Sequence, residues 1–80
     1  MKATVVVRPK EGILDPQGDA VGHSLRKLGF EVSSARVGRV IDLELGVEDR
    51  EQARVAAQKM CAELLANPLI ESYEIRLAGE

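Results

Sequence analysis

Apolar and polar positions alternate along Ala3–Arg8, with Ala3, Val5 and Val7 on one face and Thr4, Val6 and Arg8 on the other. A period of two carried by β-branched residues predicts a strand. Pro9 ends it, because proline has no N–H for the ladder. After the loop Lys10-Glu11-Gly12 the period changes. Asp15 followed by Pro16 is a helix start: the carboxylate can cap, and proline at the first helical position loses no needed hydrogen bond. Val21, Leu25 and Leu28 then fall on one helical face, and Gly29 is a stop signal. Gly18 and Gly22 each cost about 1 kcal/mol against alanine inside a helix. They predict close approach of this helix to a sheet or a partner.

Phe30–Val37 reads as a second strand and Gly38-Arg39 as a tight turn, or as a bulge in one long bent strand. Val40–Val47 is a third strand, in which Ile41, Leu43, Leu45 and Val47 alternate against Asp42 and Glu44. Asp49 and Gln52 resemble a capping box. The helix after them runs to about Ala66, with Ala53, Ala57, Met60, Cys61 and Leu64 along one face. Asn67-Pro68 stops it, and Glu71–Leu77 is a last strand with Tyr73, Ile75 and Leu77 inward. The order β-α-β-β-α-β predicts one α+β domain over residues 1–80. Its expected form is a two-layer sandwich of ferredoxin-like order, with an antiparallel sheet and two helices on one face. The uncovered face would hold Val6, Val40 and Ile70, with Phe30 or Val32 beside them. An apolar cluster there marks an association surface. It predicts at least a dimer built through the sheets, by face-to-face packing or by edge-strand exchange.

Composition narrows this further. Eighty residues give room for one core, and a domain of this size gains from oligomerising. Eleven basic against thirteen acidic residues, a formal charge of -2, argue against a nucleic-acid partner. No apolar run approaches the ~18 residues of a membrane span. The first residues lack the apolar region and cleavage site of a signal peptide. One cysteine cannot form an internal disulfide. Together these predict a cytoplasmic chain.

Candidate chemistry is sparse. His23 is the single histidine and has no second metal ligand in view, so it reads as a surface or interface residue. Cys61 lies on the apolar helix face, in the C-terminal half where the helix dipole opposes a thiolate, and reads as core. Asp42 and Glu44 share a strand face beside Arg36 and Arg39, which reads as a solvated face. Asp15-Pro16-Gln17-Gly18 lacks the Gly-Lys-Ser/Thr ending of a phosphate loop, although it presents backbone N–H groups at a helix start. Of the two aromatics, Tyr73 falls on the predicted core face, which disfavours RNA binding. A small domain without a catalytic constellation reads as a binding, regulatory or assembly subunit.

Three stretches resemble the PurS family, the small subunit of multi-subunit phosphoribosylformylglycinamidine synthase. They are Leu14-Asp15-Pro16-Gln17-Gly18-Asp19-Ala20-Val21, then Val37-Gly38-Arg39 with Ile41-Asp42-Leu43-Glu44-Leu45, and Met60 through Tyr73. Arg39 stands where that family often has lysine. The resemblance implies a non-catalytic subunit of an ATP- and glutamine-dependent C–N ligase of purine biosynthesis. It implies three partners: a second copy, as a homodimer or tetramer, the large synthase subunit PurL and the glutaminase subunit PurQ. It implies no cofactor in this chain, with ATP and Mg in PurL, and a part in ammonia transfer. The candidate interface residues are Asp15, Pro16, Gln17 and Gly18 at the helix start, Arg36, Gly38 and Arg39 at the turn, and Val6, Val40 and Ile70 on the sheet. Arg36 and Arg39 could pair bidentately with a partner's acids. Two other readings compete: a regulatory ligand-binding module, and a small acyl-phosphate hydrolase using the basic loop Arg8-Pro9-Lys10-Glu11-Gly12. That loop has one glycine and an intervening acid, which counts against the second.

Overall fold

The alternating first segment becomes β1 (Lys2–Pro9), the central strand of a three-stranded sheet in the computed structural model, which describes residues 1–80. β2 (Arg39–Glu44) and β3 (Glu71–Leu77) flank it, both antiparallel. The register sets Val5 opposite Ile41 and Ile75, and Val7 opposite Arg39 and Tyr73. These residues therefore share one face with Ala3. α2 (Arg50–Met60) lies over that face. Asp49 caps it, accepting from the Gln52 N–H at 2.9 Å.

The small residues of α2 let it sit close to the strands. Ala53, Ala57 and Cys61 are wholly buried among Ala3, Val5, Val7, Leu45, Ala66 and Leu77. Past Met60 the helix widens into one π turn, Cys61–Leu65, closed by the Ala66 N–H donating to the Cys61 carbonyl at 3.1 Å. The extra residue rotates the chain. Leu65 and Ala66 turn inward while Leu64 is left 84% exposed and Met60 lies at the surface. A plain 3.6-residue period places Met60 and Leu64 on the core face; the wide turn corrects that for Leu64, while Met60, which precedes it, lies beside the buried row of Ala53, Ala57 and Cys61.

The larger difference concerns Phe30–Val37. This segment is extended but joins no ladder, and Gly38-Arg39 makes no hairpin. Local polar groups claim its backbone instead. The Val37 N–H donates to the Asp15 carboxylate at 2.9 Å, and the Val32 carbonyl accepts from Arg26 Nη1 at 2.9 Å. α1 (Pro16–Lys27) packs against this segment, with Gly18 and Gly22 over Ala35, and has no substantial packing on the sheet or on α2. The close approach predicted by the two glycines is real, and its partner is the chain's own residues 32–37. α1 and that segment form an arm beyond the β1 end. The molecule measures 48 × 26 × 14 Å, with a radius of gyration of 15.7 Å. A compact chain of this length would have about 12 Å.

The two glycines differ in what they permit. A Cβ on Gly18 would fall within 3.0 Å of the Ala35 carbonyl oxygen and the Asp15 carboxylate, where nothing can yield. A Cβ on Gly22 meets first the flexible end of Arg26, at 3.2 Å. Gly22→Ala is therefore expected to gain most of the helix propensity difference of about 0.5–1 kcal/mol and raise Tm by about 2–6 °C. Gly18→Ala is expected to lower Tm. Thermal unfolding followed by circular dichroism compares them, and a lower Tm for Gly22→Ala refutes the assignment.

Candidate functional site

The end of β1, the start of α1, residues 35–38 and the starts of β2 and β3 meet at one junction. Asp15 organises it. One carboxylate oxygen accepts from the Gly18 N–H at 3.0 Å, capping α1, and the other accepts from the Val37 N–H. Those two N–H groups, then the charge of Arg36, hold the Asp15 carboxyl below the usual carboxylate range. Pro16 and Gln17 are exposed on the first turn, and Gly18 is buried. Arg36 donates through Nη2 to the carbonyls of Pro9 at 3.0 Å and Lys10 at 2.5 Å. Gly38 lies so close to the Val7 carbonyl that no side chain fits there.

Arg39 closes the junction on the inner face. Its Nη1 and Nη2 donate to the two Glu71 carboxylate oxygens at 2.5 and 3.0 Å, and Nη2 also donates to the Leu65 carbonyl at 2.5 Å. One guanidinium thus ties β2 to β3 and caps the wide turn at the end of α2. Glu71 accepts a further bond from the Asn67 N–H at 2.8 Å. The Arg39 fork, then that N–H, holds the Glu71 carboxyl down at about 2, and Glu71 in turn raises Arg39.

Glu71 releases its proton far more readily when folded than its ordinary value of 4.5. Its contribution to stability is therefore full above pH 4.5 and is lost as pH falls through about 2. Glu71→Gln, which keeps an acceptor for Asn67, is expected to lower Tm at pH 7. The gap from the parent chain should close between pH 4.5 and 2. A gap independent of pH over that window would rule out this origin.

The candidate residues thus divide. Asp15, Gly18, Arg36, Gly38 and Arg39 come together, with the Asp15 carboxylate, the Arg39 fork and one Arg36 nitrogen used within the chain. The bidentate partner contact expected of Arg39 is corrected accordingly, because Glu71 and the Leu65 carbonyl occupy its fork; Arg36 commits Nη2 to the Pro9 and Lys10 carbonyls and keeps its other N–H groups. Val6 and Val40 pair across β1 and β2 on the open sheet face. Their neighbours in register are Thr4, Asp42, Glu74 and Arg76, and Thr4 Oγ1 donates to Asp42 at 2.9 Å. That face is polar. Ile70 lies in the turn before β3, Phe30 and Val32 lie on the arm, and the expected apolar cluster does not form. The sequence pattern missed the arm's apolar surface: Ile13, Leu14, Val21, Leu28 and Phe30 are all exposed, Leu14 by 87%. The signal was present, since the Val21–Leu28 stripe lies off the glycine face that docks residues 32–37.

His23 is exposed and Cys61 is buried, where desolvation pushes the thiol up. No three His, Cys, Asp or Glu side chains converge on a common point. No helix is long and apolar enough to cross a membrane.

Comparison with known proteins gives this arrangement a family. The family model described as PurS, phosphoribosylformylglycinamidine (FGAM) synthase, matches residues 2–79. The PurS subunit of phosphoribosylformylglycinamidine synthase from Methanocaldococcus jannaschii is 38% identical over 77 residues, 95% of this chain and 93% of that protein. A solved structure of Bacillus subtilis PurS superposes with a TM-score of 0.82 at 41% identity, covering 94% of each chain. A chain in the structure of PurLQS from Thermotoga maritima superposes with a TM-score of 0.85 at 37% identity, covering 94% of this chain and 93% of that one. Nearly the whole length is matched, in sequence and in three dimensions, and the chain belongs to the PurS family of phosphoribosylformylglycinamidine synthase subunits.

Proposed function

We propose that this chain is the non-catalytic subunit that joins the large synthase subunit, PurL, to the glutaminase subunit, PurQ, and works in the cytoplasm as a homodimer. On this reading ATP and Mg bind in the large subunit, and the chain assists ammonia transfer between the two active sites. The chemistry makes coupling necessary. Ammonia released into water at neutral pH is protonated and ceases to be a nucleophile, so it must travel through protein. A subunit that adds contact area at the right place serves that need without reacting groups of its own.

One observation carries the reading: the chain exposes more surface than it can on its own account for. Its accessible area is 5862 Å², against about 4,700 Å² for a compact monomer of this mass. The excess is comparable to the roughly 800 Å² that each partner buries in a stable interface. It carries the apolar stripe of the arm. A second copy covers that stripe reciprocally, seating α1 where the expected second helix is missing from the sheet layer. The open sheet face, with Val6 and Val40 among charges, then stays polar and available to larger partners, as do Pro16 and Gln17.

Light scattering on a sizing column tests this. The chain alone should elute as a dimer. Mixed with PurL and PurQ, with glutamine and Mg-ADP, it should co-elute with both and carry more than one copy into the complex. Glutamine-dependent amidine formation should require it. A monomer that joins neither partner under any condition refutes the proposal.

A further inference from the structure

The hollow beside the junction belongs to none of these contacts. It is open, measures about 400 Å³, and is lined by Arg8, Lys10, Glu11, Arg36 and Ser72 with Pro9 and Gly38, and no large apolar side chain. β1, the β1–α1 loop, the 35–38 segment and β3 each supply part of it. Gly38 permits the enclosure, because its bare backbone lets the 35–38 segment lie directly on β1.

Arg8, Lys10 and Arg36 form no ion pair. Arg36 is fixed by two carbonyls, and Lys10 Nζ by the Pro68 carbonyl at 2.7 Å. Carbonyls position a cation without neutralising it. Donors also remain. Arg36 spends only Nη2, Lys10 spends one of three N–H bonds, and the Arg8 guanidinium makes no hydrogen bond within the chain. Ser72 stands opposite Arg8 in the β1–β3 register and adds a hydroxyl.

We infer that this hollow binds a phosphate group, as inorganic phosphate or the end of a phosphomonoester. The lining donors come from β1, the β1–α1 loop, the 35–38 segment and β3, and donors on several sides suit a tetrahedral oxyanion, whereas a single carboxylate uses one fork. With no aromatic or large apolar wall, the hollow recognises the anionic group alone and gives a nucleobase nothing to stack on. Glu11 on the lining opposes the charge and limits affinity to the millimolar range.

The test is a titration of the ¹⁵N-labelled full chain with inorganic phosphate, at pH 7.5, against sodium chloride of matched ionic strength. Saturable amide shifts are expected at Lys10, Gly38 and Ser72. Arg8→Ala should weaken binding about tenfold, the size expected for one charge-assisted contact. Arg8 has no intrachain bond to lose, so shifts elsewhere should be unchanged. Glu11→Gln should tighten binding a few-fold, and Ser72→Ala should weaken it a few-fold. Equal shifts with chloride, or binding indifferent to Arg8→Ala and Glu11→Gln, overturn the inference. So does a hollow that responds equally to acetate, or to a glutamate-rich peptide and not to phosphate, since that would make it a protein-docking surface.

Discussion

Gly38→Ala is expected to lower Tm by about 10–20 °C, the effect of about 2–3 kcal/mol of overpacking on a domain of this size. The reason is backbone meeting backbone. The added Cβ falls on the Val7 carbonyl oxygen, with the rest of β1 directly behind it. Val7 cannot move away, because it is wholly buried and paired on both sides, to Arg39 and to Tyr73. The 35–38 segment must lift instead, which pulls on the Asp15–Val37 and Arg36–Pro9 bonds and frees the arm. Differential scanning calorimetry gives the shift. Amide exchange should show the loss concentrated in α1 and residues 32–37, while β1 and β3 stay protected. A Tm within about 2 °C of the parent, less than 1 kcal/mol, would show that the approach is looser than the structure has it.

The second large effect is on association. If the chain dimerises through the arm as proposed, Val21→Lys with Leu28→Lys should turn that proposed dimer into a monomer, because both residues lie exposed on the arm's stripe. Two interface anchors at about 2 kcal/mol each weaken dimerisation at least about a hundredfold. The fold of the single chain should persist, since neither side chain is buried within it. Val55→Lys, at a half-exposed position on α2, is the control and should leave the mass unchanged. A double variant that remains dimeric by light scattering places the interface elsewhere.

Much of this was legible in the residues, and the exceptions share a cause. β1, α1, β2, α2 and β3 follow from periods of two and 3.6, from Asp15 and Asp49 as caps, and from Pro9 and Pro68 as stops. What failed was Phe30–Val37, whose local pattern suits a strand. Strand formation is settled by a partner, and in this chain the Asp15 carboxylate takes the Val37 N–H before any ladder can. The site divided along the same line. Asp15, Gly18, Arg36 and Gly38 were singled out as candidate partner contacts, and within the fold they fasten one segment of the chain to another. Whether an arginine meets a partner or a carbonyl 26 or 27 positions away depends on the path of the chain, which local pattern does not contain. Leu64 was misplaced for a smaller reason: one π turn shifts the period by a residue.

That same turn bears on how chain length can vary. Between Cys61 and Ala66 the helix takes five residues to return to the core, where an α-helix takes four. A chain one residue shorter here would run an unbroken α-helix into the same contacts, with one more regular hydrogen bond. A one-residue change inside β1 or β2 would instead turn every following side chain to the opposite face of the sheet. A single-codon deletion is therefore expected to be absorbed at residues 61–65, and one-residue alignment gaps among chains of this architecture are expected there and not in the strands.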